Sequence, residues 1–392
     1  MKILHTSDWH VGRTFHSYNT LEAVSQVLAE IPKLIRTHNI DVVVVAGDIY
    51  DLANPSPDAV NVLRDAVAAI LHTGAKIVMT SGNHDSATRL SFAGAFSAAS
   101  GLYLVTQPEE ALSPIELSDE HGSVDFYGIP FLQPELIRHL NWIPKDANSQ
   151  HQAVGGAMDE IRKVIKSRKS ENRRSVVVSH TFVAGGEAET SDSERPITRD
   201  PLEVGGVDVV PKNAFAGVTY AALGHIHGRK ELEPNLRYSG ALMHYSFKEA
   251  GKPRGGWLVE LDADGLGSVG WIDLPIVRPL VELRGKFADL LTNREYDEYH
   301  DYYVRAIYTD QTRQIDAMVK LKKRFEWCAE VLNEPEIQVV ENELSYRERI
   351  KGKSDLEIIE SFLVDVRNGA GASPEELELI NQVINASNAS EA

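Results

Sequence analysis

Five short β-rich runs in this chain each lead straight into a cluster of Asp, Asn or His. Residues 3–5 run into Ser7, Asp8, Trp9 and His10, and the four consecutive valines at 42–45 run into Gly47, Asp48, Tyr50 and Asp51. Residues 77–80 run into Gly82, Asn83, His84 and Asp85, residues 176–178 into Ser179 and His180, and residues 220–223 into Gly224, His225 and His227. The carboxyl ends of strands are where α/β sheets place their sites. A fold that gathers these ends brings Asp8, His10, Asp48, Asn83, His84, His180, His225 and His227 together. Each piece alone has a plain reading. With 14 His among 392 residues, about half an H-x-H pair arises by chance. Gly-Asp after a strand is common turn chemistry, and a lone His180 is an ordinary core histidine. The order in which all five fall at strand ends is what turns them into one site.

The runs between them set the fold class. Leu21, Val24, Leu28, Ile31 and Ile35 recur at helical spacing, with Pro32 expected to kink or break the run. The valine run has the continuous apolar character of a strand buried on both faces. Ser56 caps a helix that opens on Pro57, with Val60, Leu63, Val67 and Ile70 on its apolar face. Gly74 ends that helix, and residues 76–80 form the next strand. Strand–helix–strand repeats favour a parallel sheet covered by helices. Further strands are expected at 124–129, 175–179, 220–223, 257–261 and 269–274, with a helix over 148–174 and a polar loop over 185–206. Falling helical content in this stretch points to a mixed sheet.

Pro275 and Pro279 bracket a boundary. Beyond it, residues 303–308 read as a strand. Met318, Leu321, Phe325, Cys328 and Leu332 read as one amphipathic helix whose polar face carries Lys320, Lys322, Lys323 and Arg324. Residues 337–340 read as a pairing strand. This is a small α/β unit of about 60 residues. A tail from about 345 carries two short amphipathic helices, the second opening at Ser373-Pro374.

Composition adds limits. The chain is long enough for two or three domains, with 43% apolar and 25% charged residues, as in ordinary globular proteins. A single Cys328 allows no internal disulfide and fits a reducing cytoplasm. The first ten residues contain no apolar secretory core, and no run is long enough to span a bilayer. The net charge of −17 argues against a nucleic-acid partner on its face, although bound divalent cations reverse the local field.

Carboxylate, amide and imidazole ligands without thiolate point away from structural zinc and iron–sulfur clusters. They suit Mn²⁺, Mg²⁺ or Fe²⁺. A bridging carboxylate lets two such ions sit roughly 3.5–4 Å apart and clamp the attacking and leaving oxygens of a phosphoester.

The motifs D-x-H, G-D-x-x-D, G-N-H-D, an isolated His and G-H-x-H resemble the calcineurin-like metallophosphoesterase superfamily. The stretches SDWHVGRTFH, GDIYDLANPSP, TSGNHDSATRL, GHIHG and RYSGALMHYSF are similar to its SbcD nuclease branch. The resemblance implies a four-layer α/β sandwich flanked by helices over residues 1–275, a small α/β capping, DNA-positioning domain over 280–340, and a helical tail over 345–392. It implies two divalent ions, most readily Mn²⁺. Asp8, His10, Asp48 and His227 would hold one, and Asp48, Asn83, His180 and His225 the other. His84 would be catalytic without touching metal. Asp51, where archaeal and eukaryotic relatives often carry His, would stand behind the ligands. Arg13, Arg89 and the basic run Lys320, Lys322, Lys323 and Arg324 become candidates for DNA phosphates. The implied activity is 3′→5′ exonuclease on duplex ends and endonuclease on single strands and hairpins. The implied partners are an SbcC-type ABC ATPase bound through the tail, and a second copy in a heterotetramer. Two other readings share parts of the pattern: a cyclic-nucleotide phosphodiesterase or protein phosphatase of the same superfamily, and a metal-free scaffold. The long extension after Pro279 weighs against the former and the full ligand set against the latter.

Overall fold

The computed structural model describes residues 1–168, 173–185, 209–335, 352–367, 369 and 371–390. It divides into two units, Met1–Pro279 and Leu280–Ala392.

The first unit opens with β1 (Lys2–Thr6), the two-residue pair β2 (Thr14–Phe15) and β3 (Tyr18–Asn19), and two helices, α1 (Leu21–Leu28) and α2 (Ile31–His38). Pro32 divides these helices: it sits in the first turn of α2, where its missing N–H costs nothing. Next come β4 (Val42–Ala46), α3 (Pro57–Leu71), β5 (Lys76–Thr80), α4 (Ala87–Ser97) and β6 (Leu102–Val105). The Ser56 hydroxyl accepts from Ala59 N at 3.2 Å, a cap worth about 1 kcal/mol. The chain continues through β7 (Ile115–Asp119), β8 (Gly122–Ile129), α5 (Pro134–Ile137), α6 (Gln150–Arg168), β9 (Arg174–His180) and β10 (Tyr220–Gly224). It finishes with β11 (Lys230–Glu233), β12 (Leu236–Tyr238), β13 (Gly255–Leu261) and β14 (Leu266–Asp273). Of the helix expected over 148–174, the described part runs from Gln150 to Arg168, and Arg174 begins a strand instead. Arg174 is held there by a bidentate pair with Asp119 on β7, at 2.9 and 2.5 Å.

Two six-stranded mixed sheets result, ordered β14-β13-β1-β4-β5-β6 and β11-β12-β10-β9-β8-β7. Strands β1, β4, β5 and β6 run parallel, as do β8, β9, β10 and β12. The sheets face each other through Ile3, Val42, Val44, Val78, Phe126, Val176, Val178 and Tyr220. On the outer face of the first, Val43 and Val45 pack with Val24, Leu28, Ile31, Leu63 and Ile70 of the helices. On the outer face of the second, Val177, Ala221 and Leu223 pack with Val154, Met158 and Ile161 of α6. The valine run is thus buried on both faces because alternate side chains feed two different cores. The architecture is four layers, helix–sheet–sheet–helix.

The second unit contains β15 (Leu280–Gly285), α7 (Phe287–Thr292), β16 (Tyr303–Tyr308), α8 (Ala317–Arg324) and β17 (Cys328–Asn333). The three strands form a parallel sheet ordered β15-β16-β17. The long helix expected through Leu332 ends at Arg324. Cys328 and Leu332 lie instead on β17, where they pair with Val304 and Ile307. Spacings of three and four happened to span a helix, a turn and a strand. The strand expected at 337–340 and the boundary near 340–345 lie outside the described residues, as does most of the expected loop at 185–206. Two helices close the chain, α9 (Asp355–Val366) and α10 (Pro374–Ser390). They are joined by a bidentate Arg367–Glu376 pair at 2.7 and 2.8 Å. Among the described residues, no helix is long and apolar enough to cross a membrane.

Candidate active site

Strands β1, β4 and β5 deliver Asp8 and His10, Asp48, and Asn83 with His84 from one sheet. Strands β9 and β10 deliver His180, His225 and His227 from the other. The loop after β1 is stitched to the loop after β4 by Asp8 N→Gly47 O at 3.1 Å, His10 N→Asp48 O at 2.9 Å and Val11 N→Ile49 O at 3.0 Å. Along these loops the backbone enters the left-handed region at Asp8 (φ 51°), His10 (43°) and Asp48 (47°), and after β10 His225 has φ 102°. Such conformations cost of order 1–3 kcal/mol each and persist where the surroundings over-determine them. Two glycines make room. At Gly47 (φ +82°) a Cβ would overlap the His180 ring, and at Gly82 it would overlap the Asp48 carboxylate.

All eight side chains converge. Asp8, His10 and His227 present ligand atoms within 4.8 Å of one another, as do Asp8, Asp48 and His180, and His10, Asp48 and His84. His10 Nε2 and His227 Nε2 lie 3.0 Å apart. His180 Nε2 lies 3.0 Å from Asn83 Oδ1 and 3.3 Å from Asp48 Oδ2, and His225 Nδ1 lies 3.1 Å from Asn83 Oδ1. Asp48 therefore stands between a group made of Asp8, His10 and His227 and another made of Asn83, His180 and His225. His84 Nδ1 donates to the carbonyl of Asp51 at 2.8 Å, which leaves Nε2 for chemistry. Phe131 and Phe182 wall the His225 side, with ring centroids 6.2 and 6.1 Å away.

Burial drives the electrostatics. It pushes the Asp8 carboxyl up, partly offset by His180 and His227. At Asp48 burial acts in the same direction, but His180, His10 and His84 outweigh it and hold the carboxyl well below its ordinary range. Burial lowers His10 to about 4. It would lower His180 too, but Asp48 and Asp8 reverse the balance and raise it to about 9. Buried carboxylates interleaved with imidazoles form a site that gains by taking cations.

Asp51 takes its place behind the cluster: Oδ1 lies 3.4 Å from His10 Nδ1 and 3.7 Å from Arg13 Nε. Arg13 stacks on Tyr245, 4.6 Å from the ring centroid. Arg89 uses its guanidinium on the Ala53 carbonyl at 3.1 Å and on the Asn54 side chain, bracing the loop after β4. In the second unit, Lys320, Lys322 and Lys323 are exposed on α8. Arg324 instead braces its own fold through Leu290 O at 3.1 Å and Asp297 at 2.7 Å. His244 stays apart, its Nε2 donating to Lys252 O at 2.9 Å.

Sequence reasoning passed over two carboxylates. Asp85 accepts from Ile49, Tyr50 and Gly82 N at 3.0, 2.9 and 2.9 Å, and so pins the Asp48 loop to the Asn83 loop. Its place inside G-N-H-D was the available signal. Glu249, buried beside His227, had none of its own: it lies two residues beyond the RYSGALMHYSF stretch and outside every metal-type motif.

The donor set fits divalent cations. It is all oxygen and nitrogen; Asp8, His10, Asp48, His180 and His227 are buried, and three groups of three side chains each bring ligand atoms within 4.8 Å of one another. Residues 1–229 match the family model of calcineurin-like phosphoesterase, and residues 277–367 match SbcD_C, described as the type 5 capsule protein repressor C-terminal domain. Among solved structures, a protein of Thermus thermophilus is 13% identical with TM-score 0.38, over 69% of this chain and 98% of its own. A dimetal phosphatase from Danio rerio is 15% identical with TM-score 0.40, over 70% of this chain and 99% of its own. A constellation of carboxylate, amide and imidazole ligands at five strand ends, and family models matched over residues 1–229 and 277–367, lead to one assignment: this chain belongs to the calcineurin-like phosphoesterase family, as an SbcD-type metallophosphoesterase, a metal-dependent hydrolase of phosphoesters.

Proposed function

We propose that the chain is a two-metal DNA phosphodiesterase, cutting 3′→5′ from duplex ends and endonucleolytically in single strands and hairpins. The observation that carries this reading is the pairing of the ligand cluster with an SbcD_C-type region at 277–367. In it Asp8, His10, Asp48 and His227 hold one cation, and Asp48, Asn83, His180 and His225 the other, with Mn²⁺ the preferred ion. When bound, the pair supplies an activated water and neutralises charge on the phosphate. Asp48, set between the two groups, fixes their spacing. His84, oriented by Asp51 O, is left with Nε2 to hold a proton at the departing 3′ oxygen. Arg13, stacked on Tyr245, offers phosphate contacts beside His10. Lys320, Lys322 and Lys323 are the corresponding contacts from the second unit. The tail serves an SbcC-type ATPase, in an assembly with a second copy of this chain.

The test is direct. With Mn²⁺ the full chain should shorten linear duplex DNA from its 3′ ends, while His84→Ala binds metal normally and loses about 10²–10⁴-fold in rate. Turnover of a small cyclic phosphodiester with none on DNA would favour the other phosphodiesterases of the family. Full cleavage by His84→Ala would remove that residue from the mechanism.

A further inference from the structure

The three imidazoles that turn Nε2 into the ligand cluster share a feature on their far side. His180 Nδ1 donates to Ala46 O at 2.8 Å. His10 Nδ1 has Asp51 Oδ1 at 3.4 Å. His227 Nδ1 has Glu249 Oε1 at 3.8 Å. An oxygen behind the ring selects the tautomer with the proton on Nδ1, frees the Nε2 lone pair and fixes the ring plane. For His180 the oxygen is a hydrogen-bonded backbone carbonyl; for the other two it is a carboxylate standing on the same side of the ring, farther off.

Glu249 is the unexpected member. It is 4% exposed and its partner Arg254 is 2% exposed. Its second oxygen, Oε2, accepts from Tyr245 N at 3.1 Å and from Arg254 Nη2. Arg254 Nη1 in turn donates to the carbonyl oxygen of His227. The ion pair therefore meets His227 twice, with the carboxylate 3.8 Å from ring Nδ1 and the guanidinium bonded to the backbone carbonyl. Tyr245, whose backbone fixes Glu249, also packs its ring 5.7 Å from those of both His227 and His10. A buried ion pair is a poor way to gain stability, since apolar residues of equal volume serve as well or better. Placing one behind a ligand makes sense if its use is orientation.

We infer that Glu249, clamped by Arg254, is a positioning residue that sets the tautomer and ring plane of His227 for cation binding. This rests on the two-metal reading above.

Calorimetric titration of the metal-free full chain with Mn²⁺ tests it. Glu249→Gln should weaken one of two binding events by about 10- to 100-fold and leave the other unchanged, and Glu249→Asp should recover part of the loss. His227→Ala separates the two claims. If it leaves both binding events intact, the two-metal reading itself fails. If it removes one event while a folded Glu249→Gln keeps wild-type affinity at both, only the role of Glu249 is overturned. Should the Glu249 variants not fold, long-range ¹H–¹⁵N correlation spectra of the metal-free wild-type chain at pH 8 decide the matter. Protonation of His227 at Nδ1 supports the assignment, and protonation at Nε2 alone overturns it.

Discussion

His5 and Tyr220 are hydrogen bonded across the seam between the two sheets, Nδ1 to Oη at 3.0 Å. The other ring nitrogen, Nε2, meets the Leu223 carbonyl at 3.1 Å. A carbonyl only accepts, so Nε2 carries the proton and Nδ1 accepts from the tyrosine hydroxyl. The ring is neutral and fully buried, and burial lowers its pKa to about 3. An unfolded histidine titrates near 6.5. The folded value lies below the unfolded one, so the stability tied to neutral His5 is complete above about pH 6.5. It falls by up to about 1.4 kcal/mol per unit as the pH drops from there toward 3. Urea midpoints from pH 8 to pH 4 should show this slope in the wild type and a shallower one in His5→Gln. Equal slopes would mean that the ring is not neutral in the fold.

At Gly82 the expectation concerns shape alone. Alanine there must displace the Asp48 carboxylate, which stands between the two ligand groups. Gly82→Ala should therefore lose Mn²⁺ binding by titration calorimetry while keeping wild-type far-ultraviolet circular dichroism. Retention of both metals would show that the loop yields more readily than its contacts suggest.

Asp119 tests the far edge of the sandwich. Burial alone would raise its carboxyl, but Arg174 and the Met1 amine hold it well below the ordinary carboxylate range. Its contribution is present above the unfolded value of about 4 and is lost as the pH falls below it. Asp119→Asn leaves the Arg174 guanidinium, 4% exposed, without its carboxylate. The cost should be on the order of 3 kcal/mol at pH 7, shrinking toward zero in acid. A urea midpoint unchanged at pH 7 would contradict the pairing.

The tail gives a prediction about partners. Phe362 is 50% exposed on α9, and Leu379 and Val383 are each 62% exposed on α10. Single apolar residues at a surface are ordinary, but three on paired helices suit a docking role. Replacing all three with Asp should leave DNA cleavage by the isolated chain intact and abolish co-elution with an SbcC-type ATPase on size exclusion. Unaltered co-elution would move that interface elsewhere.

The parts legible in the sequence were those where one physical signal dominates. The valine run of β4 could only be a doubly buried strand. Pro32 was bound to kink or break its helix, and ligands at five strand ends pointed to one shared site. Less visible were β6, β7 and β11, which are short and mostly half-exposed, and β12, which is buried but only three residues long, so that pairing with neighbours rather than their own pattern makes them strands. Cys328 and Leu332 were misplaced because helical spacing carried on by coincidence into β17. Glu249 was illegible because its meaning lies in a contact with His227 that the tertiary fold creates.

The ligands come in two halves, one from each sheet, and Asp48 and His180 meet across the seam at 3.3 Å. That distance is about one residue's rise along a strand. Sliding one sheet past the other by a single residue would part every cross-seam ligand pair at once. The apolar layer of Val44, Val78, Val176 and Val178 is thus also the gauge that sets the spacing of the reaction centre. A core substitution that the fold tolerates can still put the two halves out of true, so drift in that layer is restrained by chemistry as well as by stability.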